Sequence, residues 1–471
     1  MRSFVVRDIE LGNPTRRIDV RQFDPGLLRT ISIIREAARR NPERLKLMPL
    51  AALVKPDLGI TGGATPKGGI YVEVGVPFIR VQNVRRGYLD LTEIVYIDDH
   101  THREDLHRSA LKLNDVLITI TGATYGLVAK TTKKVVPGNV NQHVVRLRLK
   151  PEYDPDFLVG YLNSRLGRDQ FEHAYTGSSR QALDYPALRQ TKILLPSRRV
   201  MSDIGAGVRD GLARAERAHN RAFTLLSTEG QTVHKLLHLP ALPPQKARTF
   251  VVDPSRISDR LDAIAQDPDH DAVVKTVKRG RYSAEPVESL ARETTRKLTP
   301  SAEPEREFLL VELPDFDPDF GAIRPPTASL GIDIAGTRVA LAPGEVAASR
   351  LRFYLRKVAV IPKMQNAITT TEVCTFACDR KIDAEYLWIL LRQDFAIRQM
   401  QHTITGSSRP RSEGENILKV VVPIPPPAVR LRLIREVRGI YDTASKQKVI
   451  AERIRESAFD KVRRMVLGEG A

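Results

Sequence analysis

The chain has 471 residues, 42% hydrophobic and 28% charged, which is the composition of a soluble protein long enough for two to four domains. No apolar run approaches the roughly 18 residues that span a bilayer, and the N-terminal sequence MRSF lacks the apolar core of a signal peptide. Both observations predict a cytoplasmic protein with no membrane contact. The net charge of +18 favours a polyanionic partner, because phosphate neutralisation supplies most non-specific affinity for nucleic acid. Membranes and acidic proteins are the alternatives.

The first 200 residues predict a helix, a β-rich region and a second helix. The first helix is expected from Gly26 to Arg40, with Leu28, Ile31 and Ile34 on one side. The second is expected from Asp156 to about Tyr175, with Gly177 just beyond its end. The candidate strands are residues 76–81, 115–121, 144–149 and 193–195.

A long helix is predicted next, from Val200 to Leu237, and a second one near the C-terminus. Their apolar residues recur at alternating steps of three and four, as in a coiled-coil seam. In the first helix they are Val208, Ala215, Ala218, Ala222, Leu225, Val233 and Leu236, with Glu229 as the exception. In the second they are Val437, Ile440, Ala444, Ala451, Ile454, Ala458, Val462 and Met465. Such helices would be spacers roughly 50–55 Å long; alternatively, each packs on its own domain.

The chain contains two copies of one unit. Thr176-Gly177-Ser178-Ser179-Arg180 recurs as Thr405-Gly406-Ser407-Ser408-Arg409, and the flanking segments keep the same offset of 229 residues. The N-terminal strings of the copies, residues 2–6 and 248–252, also match, at an offset of 246. A period this long indicates duplicated domains rather than a solenoid. The glycine of the repeated pentapeptide is interpreted as the residue that ends the preceding helix. The serines and the arginine after it either have no further role or contact phosphate.

The sequence contains no recognisable catalytic string. A Walker A motif, an HExxH motif and a GxSxG elbow are all absent. The glycine-containing string 203–207 lies within the predicted long helix, which argues against a cofactor site, so we predict no cofactor. Cys374 and Cys378 are expected on one strand, about 13 Å apart and too distant for a disulfide. The histidines at 100, 102 and 107 are expected in a solvated loop rather than at a metal.

Several polar residues follow predicted strands, where they are placed to contact phosphates or base edges. Glycines there allow close approach of the backbone, and amides can pair with adenine. Each residue has the alternative role of a turn former or strand-surface residue. The candidates in copy one are Arg80, Gln82, Asn83, Thr121, Gly122, Thr124, Tyr125, Asn141, Gln142, His143, Ser178, Ser179 and Arg180. Those in copy two are Lys363, Gln365, Ser407, Ser408 and Arg409.

The ordered set of motifs resembles the specificity subunit of type I restriction–modification systems. The matching strings of copy one are Arg17-Ile18-Asp19, Pro77-Phe78-Ile79-Arg80, residues 113–118, Gly122-Ala123-Thr124-Tyr125-Gly126, Asn141-Gln142, residues 157–164, Thr176-Gly177-Ser178-Ser179 and Leu195-Pro196. No single string is specific, whereas their order and repetition are, and the resemblance covers nearly the whole chain.

The resemblance implies an α+β fold of two tandem repeats, each a mixed α/β target recognition domain followed by a long helix, with the two helices in an antiparallel coiled coil. The domains would be 1–198 and 248–427, the spacer helices 199–239 and 428–468, and the linker 240–247. The subunit would be non-catalytic and would read a bipartite double-stranded DNA target. It would bind methyltransferase (M) subunits and, through them, the restriction/translocase (R) subunit.

Copy two departs from this pattern. Its counterpart of Gly122–Gly126 is Arg352–Arg356, without glycine, and that of Asn141–His143 is Thr370–Glu372. Two other functions stay open: an enzyme acting on nucleic acid through an unrecognised site, and a scaffold that binds only protein.

Overall fold

The computed structural model describes residues 24–57, 59–122, 124–174, 182–244, 264–378, 380–406 and 409–469, and for residues 381 and 382 it describes the backbone alone. The chain divides into two compact units, unit 1 with residues 1–220 and 447–471, and unit 2 with residues 221–446. The matched N-terminal strings of the two copies and the Thr176–Arg180 string lie outside the described residues. Each unit mixes helices with several small sheets.

Unit 1 begins with a helix and then alternates short strands and helices. Its helices are α1 (Pro25–Arg40), α2 (Leu50–Leu53), α3 (Pro155–Asn163), α4 (Arg165–Ala174), α5 (Tyr185–Gln190) and most of α6 (Arg198–Ser227). Its strands are β1 (Lys46–Pro49), β2 (Ile60–Gly62), β3 (Val76–Ile79), β4 (Val84–Arg85), β5 (Tyr88–Leu89), β6 (Val95–Ile97), β7 (Val116–Thr119), β8 (Val128–Lys130), β9 (Asn139–Val140), β10 (Val144–Leu147) and β11 (Lys192–Leu195).

Helix boundaries in unit 1 follow from capping residues. Asp24 caps α1 by accepting a hydrogen bond from Gly26 N at 2.7 Å, and Asp154 caps α3 in the same way. The single helix predicted from Asp156 to Tyr175 is wrong, because Ser164 divides it. The Ser164 hydroxyl donates to Tyr161 O at 2.7 Å and accepts from Leu166 N at 3.2 Å, so it ends α3 and starts α4.

The strands of unit 1 form a four-stranded sheet in the order β2-β10-β7-β8, a three-stranded sheet in the order β6-β3-β9, and the pairs β1-β11 and β4-β5. The central strand β7 is buried throughout. Arg146, in β10, and Arg148, just after it, are held by internal contacts. Arg146 is 1% exposed, and Arg148 forms two hydrogen bonds with Asp115 at 2.7 and 2.9 Å. These arginines therefore stabilise the fold.

In unit 1 the long helix α6 packs against the C-terminal part of helix α12 (Pro427–Leu467). A Cβ atom on Gly160 would lie 2.6 Å from Val208 Cγ2 and 2.9 Å from Val462 Cγ2, so α3 approaches both helices closely. Further along, Ala215 and Ala218 of α6 share a buried cluster with Ala451. Small side chains on facing helices allow this close approach.

Unit 2 follows a similar order of elements. Its helices are α7 (Glu229–Leu236), α8 (Asp269–Lys278), α9 (Lys381–Leu391), α10 (Asp394–Gln401), α11 (Gly414–Leu418) and the N-terminal part of α12. Its strands are β12 (Ala284–Pro286), β13 (Ala291–Glu293), β14 (Arg296–Leu298), β15 (Glu307–Val311), β16 (Phe316–Asp317), β17 (Ala322–Ile323), β18 (Thr327–Leu330), β19 (Arg338–Ala340), β20 (Val346–Ser349), β21 (Val358–Val360), β22 (Ala367–Thr370), β23 (Val373–Cys378) and β24 (Val421–Pro423).

The sheets of unit 2 have the orders β13-β23-β20-β21 and β14-β19-β22-β15-β18, with the pairs β12-β24 and β16-β17. The predicted strand containing Cys374 and Cys378 is confirmed as β23, and Cys374 is 1% exposed. Burial raises the pKa of the Cys374 thiol to about 12, with the Glu293 carboxylate adding to the shift. This thiol is therefore a core residue rather than a nucleophile.

Two details of the predicted helices are wrong. The helix expected from Val200 to Leu237 is interrupted at Thr228, between α6 and α7. In α1 the buried residues are Thr30 and Ile34, whereas Leu28 is 41% exposed. Glu229, the exception in the apolar pattern, is buried in unit 2, where its carboxylate accepts a hydrogen bond from Gln393 Nε2 at 2.8 Å.

Candidate nucleic-acid interface

The ends of two parallel strands bring two of the predicted polar segments of unit 1 together. In β3 and β9, Phe78 pairs with Asn139 and Ile79 with Val140. The chain leaves both strands at the same edge, where Asn141 N donates to Ile79 O at 3.0 Å. The segments that begin at Arg80 and Asn141 are therefore neighbours.

The third polar segment joins this edge through the four-stranded sheet. Ile120 N donates to His143 O at 3.0 Å, which places the turn after β7 beside the end of β9. Thr121 forms a β-bridge with Ala182. Gly122 has φ +77° and open space where a Cβ would lie, so the turn presents bare backbone. We name this edge, with Arg80, Gln82, Thr121, Gly122, Thr124, Tyr125 and residues 141–143, the unit 1 tip.

The side chains of the tip differ in availability. Gln82 and Gln142 are exposed, and Thr121, Thr124, Tyr125, Asn141 and His143 are half-buried. The Gln142 carboxamide accepts a hydrogen bond from Thr65 Oγ1 at 2.6 Å, which orients the amide while leaving it exposed. An oriented amide loses less entropy when it pairs with a base edge.

Arg80 is held by its neighbours at the tip. Its Nη2 donates to Glu93 O at 2.8 Å, and its guanidinium carbon lies 5.8 Å from the centre of the Tyr71 ring. This distance is within the range of a cation–π contact. These two contacts restrict the rotation of the Arg80 side chain.

Asn83 was predicted to contact DNA, but its side chain is buried in the turn after β3. It is 1% exposed, its Oδ1 accepts from Arg80 N at 2.9 Å, and its Nδ2 donates to Asp90 O at 3.0 Å. Both ends of the amide are thus used to hold the turn after β3. Asn83 is a structural residue that presents no edge to a base.

The repeated pentapeptide falls largely outside the described residues, which exclude Ser178, Ser179, Arg180, Ser407 and Ser408. The residues that flank it are informative. In unit 1, Leu183 N donates to Ile120 O at 2.8 Å, so the chain after the pentapeptide lies against the tip. In unit 2, Thr405 and Arg411 exchange two backbone hydrogen bonds of 2.8 and 2.9 Å, and Arg409 between them is exposed.

The candidates of unit 2 do not lie together. Lys363 and Gln365 are exposed and follow β21, whose Val360 pairs with Val346 at the start of β20. The Thr405–Arg411 segment lies at the other end of β20, where Leu351 forms a bridge with Arg411. Lys363 and Gln365 therefore lie at the opposite end of this sheet from Arg409.

Sequence reasoning missed the charged pairs that surround the Thr405–Arg411 segment. Arg411 forms a bidentate pair with Glu372, with Nε at 3.0 Å from Oε2, and Arg350 pairs with Glu413. These partners are 39 and 63 positions apart, so no local pattern could reveal them. Bidentate pairing directs the arginines and partly neutralises them.

The residues that the structure describes contain neither a cluster of metal ligands nor a helix that could span a membrane. In the described part of the chain, no group of three or more His, Cys, Asp or Glu side chains could hold a metal ion. His102 instead hydrogen-bonds Asn139 at 2.5 Å, and His107 hydrogen-bonds Glu104 O at 2.9 Å. None of the described helices is both long and apolar enough to cross a bilayer.

Comparisons with known proteins find similarity at the level of solved structures. No protein-family model and no curated protein matches the chain. A chain from a structural study of assembly and conformational transition of the type I R-M system is 14% identical, with a TM-score of 0.42, and the match covers 91% of this chain and 99% of that one. The type I restriction-modification S subunit from M. genitalium is 13% identical, with a TM-score of 0.38 and coverage of 89% and 96%. The HsdS subunit from Thermoanaerobacter tengcongensis is 13% identical, with a TM-score of 0.32 and coverage of 91% and 98%.

Proposed function

We propose that the chain is a non-catalytic DNA sequence-recognition subunit of a type I restriction–modification complex, or of a related defence complex. It would read a bipartite target and direct M subunits and an R subunit to that target. The observation that carries the proposal is the unit 1 tip, where three polar segments from separate strands converge on one edge of a strongly basic chain.

The sheets of the two units support a tandem repeat of recognition domains, for which we propose the boundaries 1–198 and 248–427. The order β2-β10-β7-β8 of unit 1 has its counterpart in β13-β23-β20-β21 of unit 2. The parallel pair β3-β9 likewise has its counterpart in β15-β22. One duplicated scaffold would supply one half-site reader per copy.

The contacts of the long helices support an antiparallel spacer. In unit 1, Val208 of α6 and Val462 of α12 both lie beside Gly160. A Cβ atom added to Gly211 of α6 would lie 2.8 Å from the Cβ atom of Ala458 in α12. Residue numbers therefore increase along α6 while those of the contacting residues in α12 decrease, as in an antiparallel pair. The cluster of Ala215, Ala218 and Ala451 follows the same order. A spacer of fixed length would set the distance between half-sites.

Electrostatics suit this role. With a net charge of +18, the chain would gain affinity from phosphate contacts that release counterions, and that affinity would fall steeply with salt. Base choice would come from the exposed amides and backbone at the tip. Affinity and specificity would thus reside in different residues.

The test is reconstitution of the full chain with a partner methyltransferase, followed by mapping of methylated sites. We expect a bipartite motif, one half of which loses definition when Gln142 is changed to Ala. Methylation without a motif would contradict the proposal. Cleavage or methyl transfer by the chain alone would favour the enzyme alternative, and failure to retard duplex DNA at low salt would favour the protein-binding scaffold.

A further inference from the structure

An exposed apolar residue lies beside the unit 1 tip. Residues 66–71, which we name the Ile70 loop, precede β3 and contain Ile70, whose side chain is 69% exposed. Gly68 and Gly69 have φ of +70° and +65°, a left-handed conformation that other residues rarely adopt. Two consecutive left-handed residues fix a sharp turn that projects the isoleucine outward.

The base of the Ile70 loop is anchored on both sides. Thr65, just before it, donates to Gln142 at 2.6 Å, and Lys67 forms an ion pair with Asp105 at 3.0 Å. At its other end, the Tyr71 ring lies 5.9 Å from that of Phe78, which is fully buried, and beneath the Arg80 guanidinium. The loop is therefore continuous with the residues proposed to read bases.

Within the proposed function, the Ile70 loop would meet the groove that Gln142 and Arg80 enter. Amide and guanidinium groups read base edges best in the major groove, where the only apolar feature of the bases is the C5-methyl group of thymine. An exposed aliphatic side chain gains free energy by covering that methyl group. A protein partner for Ile70 would not explain the contacts that join the ends of its loop to Gln142 and Arg80.

We propose that Ile70 reads a thymine methyl group in the half-site of unit 1, next to the bases contacted by Gln142 and Arg80. This inference rests on the proposed function and adds a specificity-determining residue to it. In unit 2, the segment before β15, which corresponds to β3, has a different sequence, Pro300-Ser301-Ala302-Glu303-Pro304-Glu305-Arg306.

The test begins with the target selected by the full chain from random duplexes. Each thymine of the target is then replaced in turn by deoxyuridine, which removes only the methyl group. We expect one replacement in the unit 1 half-site to weaken binding by about three- to fivefold, the effect of one buried methyl group. Ile70→Ala should bind the thymine target about as weakly and should show no further loss with deoxyuridine.

Val74 provides a matched control, since it is 88% exposed but lies outside residues 66–71, the loop whose two ends are joined to Gln142 and Arg80. Val74→Ala should keep the wild-type response to deoxyuridine. If Ile70→Ala lost as much affinity as the wild type on replacement of each thymine by deoxyuridine, the inference about Ile70 would be wrong, while the proposed function would stand. Weakened binding of the M subunits by Ile70→Ala, with thymine discrimination unchanged, would assign the loop to a protein interface instead. If selection yields no preferred sequence, the proposed function fails as well.

Discussion

The turn after β3 in unit 1 and the turn after β15 in unit 2 have the same hydrogen bond but opposite charge. In unit 1, Arg80 N donates to the Asn83 side chain at 2.9 Å, and in unit 2, Glu312 N donates to the Asp315 side chain at 2.8 Å. The fold requires an oxygen acceptor at the fourth position and accepts either an amide or a carboxylate. The first position is not constrained in this way, so its charge can vary between the units.

The arginines of unit 2 show a second difference. At the end of β20, Arg350 and Arg411 pair with Glu413 and Glu372, whereas at the unit 1 tip Arg80 is held by a carbonyl and an aromatic ring. Arginines that are already paired with carboxylates gain less from a phosphate. The two units thus carry surfaces of different chemistry, as two dissimilar half-sites would require.

The largest expected effect concerns a buried ion pair of unit 2. Arg430 and Asp383 are 6% and 4% exposed and paired with each other, while the position 229 residues before Arg430 is Met201. Arg430→Met should lower the stability of unit 2 by about 3 kcal/mol, because it leaves a buried carboxylate with only the exposed Arg380 as partner. Hydrogen exchange measured separately for the two units checks this.

A double variant, Arg430→Met with Asp383→Asn, serves as the control, since it removes the buried charge and should recover part of the loss. Unchanged exchange in unit 2 of the single variant would show that the pair contributes nothing.

A smaller effect is expected in unit 1, where α3 contacts the long helices. Gly160→Ala should destabilise unit 1 by about 2 kcal/mol, because the new Cβ would lie 2.6 Å from Val208 Cγ2 and force the helices apart. Gly207→Ala in α6 is the matched control, since a Cβ there meets nothing within 4 Å. That variant should be neutral or slightly stabilising, owing to the higher helix propensity of alanine. Equal stability of both variants in urea denaturation would argue against close packing at Gly160.

The third prediction separates recognition from folding within the tip. Gln142→Ala should reduce discrimination between the target and a target changed at one base pair by about 1 kcal/mol or more. Asn83→Ala should instead lower the stability of unit 1, because it removes two hydrogen bonds within the turn. Gln365→Ala, on an exposed residue away from the Thr405–Arg411 segment, should change neither quantity. Competition binding at one salt concentration measures the discrimination between the two targets. If Gln365→Ala lost as much discrimination as Gln142→Ala, Gln142 could not be assigned a specific role in recognition.

Local patterns in the sequence were enough to predict most elements but not their partners. The helix from Gly26 to Arg40 and the strand containing Cys374 could be predicted from spacing, because capping and alternation act within a few residues. The break at Ser164, whose hydroxyl ends one helix and begins the next, was not predicted. A serine within an amphipathic pattern has no distinct signal for that role.

The candidate interface could be predicted only in part, for a related reason. The convergence of Arg80 and Gln142 follows from strand pairing, which the offset of the repeats does not specify. Thr65 and Gln142 are 77 positions apart, and Glu229 and Gln393 are 164 apart. Such contacts depend on the whole topology. Asn83 was misassigned because the sequence does not distinguish an amide that hydrogen-bonds the backbone from an amide that faces a base.

The smallest effect is a pH dependence that should distinguish unit 2 from unit 1. Burial lowers the pKa of His234 below 6.5, and its ring lies 6.3 Å from that of Phe395, which is fully buried. Because the folded pKa is below the unfolded one, the unfolded chain takes up a proton first as the pH falls. The associated stability is therefore present above the unfolded pKa and is lost as the pH falls through the folded pKa. Hydrogen exchange between pH 7.5 and about pH 5.5 should show unit 2 weakening, and His234→Gln should reduce that slope. A slope unchanged by His234→Gln would place the pH dependence on other groups.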